Sequence, residues 1–113
     1  MQDRNINKMN LDSYLLQNIK KTVLSIEPTA TVMLYGSCAR NEENIHSDID
    51  LLILIDQHSI SPITKKNILN HLYQIEFETG KIISPMVVSR NFWEHQHRKN
   101  PFYENVCLEA KVL

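Results

Sequence analysis

One stretch constrains this chain more than any other: Gly36-Ser37-Cys38-Ala39-Arg40-Asn41-Glu42-Glu43-Asn44-Ile45-His46-Ser47-Asp48-Ile49-Asp50, set between the apolar runs Thr31–Tyr35 and Leu51–Ile55. The runs are short, aliphatic and rich in β-branched residues, so they read as buried strands rather than helices. Gly36 follows the first strand directly, in a chain with only two glycines. A glycine there permits a positive φ and a close backbone approach to a ligand. Ser37 is placed to cap a short helix begun by Cys38, Ala39 and Arg40. The free N–H groups of such a helix start form an anion site, and Arg40 adds positive charge to it. Taken alone, this is also what an ordinary strand–turn–helix junction looks like.

The second half of the stretch supplies carboxylates. Side chains alternate across a strand, so Asp48 and Asp50 share one face and Ile49 takes the other. Their Cα atoms are expected about 6.6 Å apart, two strand rises, which lets one oxygen from each reach a common divalent ion. Mg²⁺ favours one or two carboxylates completed by phosphate oxygens and water. A bare Asp-x-Asp is more often a charged strand entry. Here two like charges open a strongly apolar strand just after a phosphate-type turn, and that combination points to a metal-bound nucleoside triphosphate.

Gly36-Ser37-x-x-Arg40 followed by Ser47-Asp48-Ile49-Asp50-Leu51 resembles the nucleotidyltransferase superfamily that includes DNA polymerase beta, and most of all its minimal, single-domain branch. The resemblance implies an α/β fold, a small mixed β-sheet flanked by helices. It implies Gly36, Ser37, Arg40 and Ser47 at the nucleotide and Asp48 and Asp50 as catalytic ligands of Mg²⁺. It further implies transfer of a nucleoside monophosphate, AMP from ATP, to an acceptor hydroxyl with release of pyrophosphate. In the minimal branch it implies pairing with a small helical HEPN-type protein in a toxin–antitoxin arrangement.

The family usually draws a third carboxylate from a neighbouring strand. Here that strand, Lys81-Ile82-Ile83-Ser84-Pro85-Met86-Val87-Val88, contains no acid, and Ser84 stands at the equivalent position. Asn41 also replaces a frequent glycine. Glu76, Glu78 and Asp56 are nearby acids, each read more simply as a helix-face or strand-end charge. Two functions therefore stand side by side: an active Mg²⁺-dependent transferase, and an impaired, antitoxin-like nucleotide- or metal-binding partner.

The rest of the chain limits what surrounds the site. With 113 residues it is expected to be one domain, 1–113, with a loose polar start over 1–9. Net charge is −1 and the basic residues are scattered, so no nucleic-acid footprint emerges. No apolar run is long enough to span a membrane and no signal-peptide pattern appears, so a cytoplasmic protein is expected. Cys38 and Cys107 lack metal-ligand spacing and are expected as free thiols. His95 and His97 read as solvated loop residues, His46 as an exposed loop residue, and Trp93 and Tyr103 as packing.

Helical spacing predicts an amphipathic helix over 11–26. Ser61 and Pro62 are expected to start a second helix that ends near Gly80. A third strand is predicted over 82–88, then a short turn of helix capped by Ser89, and a last helix from Pro101.

Overall fold

The computed structural model describes residues 3–36, 48–96 and 100–113. A long helix, α1 (Asp3–Ile26), opens the chain with no glycine or proline to interrupt it. Its first turns run through the polar start of the chain. After Pro28 come β1 (Thr31–Tyr35), β2 (Ile49–Ile55) and α2 (Pro62–Thr79). They are followed by β3 (Ile83–Ser89), α3 (Arg90–Gln96), α4 (Pro101–Glu109) and a short strand, β4 (Lys111–Val112), that the sequence pattern does not announce.

The strands make one mixed sheet in the order β3-β2-β1-β4, and with its flanking helices this is the α/β architecture expected. β2 runs antiparallel to β1 and parallel to β3. A parallel neighbour lies beyond the reach of a tight turn, and α2 makes the crossover. β3 is an edge strand, which is why it tolerates Pro85, a residue without a ladder N–H. On the other side β4 pairs with β1, and the Leu113 N–H donates to the Val32 carbonyl at 2.9 Å.

β2 is buried on both faces, with Leu51, Leu52, Ile53 and Ile55 fully enclosed. Each such side chain contributes about 1.5–3 kcal/mol through burial. Its odd-numbered residues join Ile19 and Val23 of α1 and Ile68, Leu72 and Ile75 of α2 in one core. Leu52 and Leu54 pack instead with Trp93 of α3 and Val106 of α4. Trp93 meets Tyr103 edge to face at 4.8 Å, the packing role expected of both. By the same alternation, Asp48 and Asp50 belong to the α3/α4 side of the sheet.

Local chemistry sets the element ends. Gly80 adopts φ 75° and donates its N–H to the Glu76 carbonyl, closing α2. Pro62 starts that helix as expected, although the Ser61 side chain makes no capping hydrogen bond. Ser89 does cap: its hydroxyl accepts the Phe92 N–H at 3.0 Å. Asn100 does the same for α4 through the Phe102 N–H at 2.9 Å. No described helix is long and apolar enough to cross a membrane.

Candidate functional site

The end of the sheet where β1 leaves and β2 enters collects the polar groups. Asp50 stands in a row across three strands, paired with Tyr35 of β1 on one side and Ser84 of β3 on the other. Asp48, just before β2, is exposed, whereas Asp50 is half-buried. The position at which an acid is missing from β3 thus lies directly beside Asp50.

Gly36 ends β1 with φ 76°, a conformation that L side chains rarely adopt. A side chain there would also crowd the site: a Cβ on Gly36 would stand 2.5 Å from Asp50 Oδ2, so the carboxylate would have to move. The Gly36 N–H donates to Glu109 Oε2 at 2.9 Å. One glycine therefore lies between two carboxylates, one on β2 and one at the end of α4.

The electrostatics follow from this crowding. Burial pushes the Asp50 carboxyl above the usual carboxylate range, and the charges of Asp48 and Glu109 push it further in the same direction. The Tyr35 hydroxyl is raised as well, first by burial and then by Asp50 and Glu109. Among the described residues no basic side chain pairs with Asp50. Such a site holds negative charge at a cost that a cation removes. The donor set, hard oxygens on one face of a strand end, suits a hard divalent ion. Among the described residues no three His, Cys, Asp or Glu side chains converge as a metal cage would. A site completed by phosphate oxygens and water has no need of one.

Of the residues singled out in the sequence, Gly36, Asp48, Asp50 and Ser84 come together here. Ser37, Arg40 and Ser47 lie outside the described residues, as do Cys38, Asn41, His46 and His97. The alternative acids are elsewhere. Glu76 Oε1 accepts the Ile83 N–H at 2.8 Å and so anchors the start of β3. Glu78 is exposed and accepts from Gln74 at 3.0 Å, and Asp56 pairs with Arg90 at the opposite end of β2. His95 is exposed, its Nδ1 2.8 Å from the Asn91 carbonyl oxygen, and Cys107 is an exposed free thiol.

Glu109 is the residue that sequence reasoning missed. It lies 73 positions from Gly36, and no spacing rule links them. One faint signal existed: an acid in the last turn of a helix opposes the helix dipole, so its presence there calls for another reason.

Comparison with known proteins bears on the family and the fold. Residues 16–107 match the family described as "Nucleotidyltransferase domain". No curated protein is similar enough to count as a match. Among solved structures, one described as "Crystal structure of the toxin-antitoxin with AMP-PNP" shares the fold with a TM-score of 0.54 at 17% identity, covering 84% of this chain and 69% of that one. With the family match running over most of its length, the chain belongs to the nucleotidyltransferase domain family.

Proposed function

We propose that this protein transfers a nucleoside monophosphate from a nucleoside triphosphate, ATP in the first instance, to an acceptor hydroxyl. The observation that carries the reading is the placement of Asp50, on the same strand face as Asp48 and against the Gly36 turn, in a chain of this family. Asp48 and Asp50 would hold Mg²⁺, which when bound neutralises phosphate charge and orients the triphosphate. In the transfer, a bond forms between the acceptor oxygen and the α-phosphorus while the bond from that phosphorus to the bridging oxygen breaks. Pyrophosphate leaves, and the acceptor's proton passes to solvent or to a nearby base. The chain's own part is positioning: Gly36 leaves room for a close approach, and Asp48 and Asp50 align the reacting phosphate. Ser37, Arg40 and Ser47 complete the nucleotide contacts in this reading.

The comparison protein is described as a toxin–antitoxin with AMP-PNP, which supports a protein partner and an adenine nucleotide for this chain too. A small helical HEPN-type protein is the partner proposed. A second reading rests on Ser84, which occupies the place beside Asp50 without an acidic group. Under it, the protein binds nucleotide and partner but transfers slowly or not at all.

Calorimetric titration of ATP with Mg²⁺ tests the first step, with the double variant Asp48→Ala/Asp50→Ala as control. Metal-dependent binding lost in the double variant supports the site. Absence of binding to the folded wild type rules it out. Labelled ATP with a co-expressed partner then separates the two readings: label on the partner means transfer, and binding without label means the impaired form.

A further inference from the structure

β3 brings no acid to the site, yet one arrives from the far end of the chain. Glu109 closes α4, where the helix dipole disfavours a carboxylate, so its position is held by contacts outside the helix. One of these is the Gly36 N–H, which donates to Oε2 at 2.9 Å. Beside the same glycine lies Asp50 Oδ2, 2.5 Å from where a Cβ would stand. The glycine that ends β1 is thus held by one acid and lies beside another. Ala110, next in the chain, packs against the cluster of Leu52, Leu54, Trp93 and Val106, and β4 then pairs with β1. These contacts fix the chain on both sides of Glu109.

We propose, resting on the nucleotidyltransferase reading above, that Glu109 is a positioning residue of this site: it pins the Gly36 turn against Asp50 and supplies the third negative charge that Ser84 does not. Glu109 acts through the glycine amide and through its charge, without ligating the ion in this arrangement, since no three acids converge among the described residues. Outer groups that orient and polarise metal-binding carboxylates commonly change metal affinity by about 10–100-fold. The opposite role is also physically defined. A carboxylate on a turn amide can imitate a phosphate, and in that case it would compete with the nucleotide for the turn.

The test uses the whole chain, with Mn²⁺ as a probe followed by electron paramagnetic resonance, ATP binding by calorimetry, and thermal unfolding. Glu109→Gln keeps an oxygen to accept the Gly36 N–H but loses the charge. It is expected to weaken Mn²⁺ binding about tenfold or more while holding the wild-type melting temperature. Glu109→Ala is expected to lose the same affinity and to melt earlier. Wild-type Mn²⁺ affinity in Glu109→Gln overturns the proposal, because the residue is then a structural peg alone. Tighter ATP binding in Glu109→Gln overturns it too, because the carboxylate then occupies the phosphate's place. Asp50→Asn separates the two levels. If Asp50→Asn loses Mn²⁺ and Glu109→Gln does not, only the role of Glu109 fails; if the wild type binds neither Mn²⁺ nor ATP, the site reading fails with it.

Discussion

At the exit of β2, Asp56 meets Arg90, whose guanidinium Nε donates to the carboxylate while its Nη2 donates to Thr31 Oγ1 at 2.8 Å. At the entry of the same strand, burial and the charges of Asp48 and Glu109 raise the Asp50 pKa. The exit has an open cleft of about 330 Å³, with His58, Asn91 and Glu94 beside the ion pair. There the acid has its counter-charge within the protein and serves the fold. At the entry the fold gathers like charges around Asp50 against a glycine turn, an arrangement that suits a cationic ligand.

The largest effect expected at the entry is on ligand binding. Asp48→Ala/Asp50→Ala should abolish Mg²⁺-dependent ATP binding by calorimetry, whereas Asp56→Ala should leave it within about twofold, since a contact gap of this kind isolates sites. Ligand-induced stabilisation offers a second view. ATP and Mg²⁺ at about a hundred times the dissociation constant should stabilise the wild type by about 2.7 kcal/mol and the double variant not at all. Equal loss from Asp56→Ala would break the contrast between the two ends.

Truncation of the core that carries both ends comes next. Ile53→Ala, on the α1/α2 side, and Leu52→Ala, on the α3/α4 side, should each cost about 2–5 kcal/mol in chemical denaturation. Only Leu52 lies on the face of Asp50 and Trp93, so Leu52→Ala should also weaken nucleotide binding.

The two glycines sharpen the comparison, because their φ angles are 76° and 75°. A Cβ at Gly80 meets nothing within 4 Å, so Gly80→Ala should cost only the left-handed penalty, about 1–2 kcal/mol. A Cβ at Gly36 collides with Asp50, so Gly36→Ala should cost more and should displace that carboxylate, reducing metal binding as well. Thermal unfolding and Mn²⁺ titration of both variants check the difference.

The smallest effects have opposite signs. The Asp50 pKa is raised above its ordinary 3.8, so the folded state binds a proton more tightly than the unfolded chain. Its contribution is fully favourable below the unfolded value and is lost as pH rises through the raised folded value. Asp50→Asn should therefore stabilise the metal-free protein at neutral pH, and this gain should fade as the pH falls through the folded value and below 3.8. Asp56→Asn should instead destabilise at neutral pH by about 0–1 kcal/mol, as for other solvent-exposed ion pairs. Melting temperatures measured across pH for both variants would show it.

Much of this site is legible along the chain because its parts are local. The side-chain alternation of a strand over Ile49–Ile55 places Asp48 and Asp50 on one face whatever packs above them. Ser89 and Gly80 mark their helix ends through hydrogen bonds to residues three and four positions away. Other features are legible only in part. Tyr73 and Phe77 read as apolar helix residues, yet the buried line of α2 runs through Ile68, Leu72 and Ile75 and leaves both exposed. Burial depends on which side of α2 faces the sheet, and that depends on the packing of α1.

From its sequence alone, then, the chain determines its three longer strands, the shared face of Asp48 and Asp50, the glycine before the motif and the absence of an acid in β3. These rest on backbone geometry and on side-chain alternation over a few residues. Tertiary structure alone decides that Ser84 lines up with Asp50, that β4 pairs with β1, and that Glu109 reaches the Gly36 amide. Those contacts join residues distant along the chain, and they exist only once Trp93, Tyr103 and Val106 have seated α3 and α4 on the sheet.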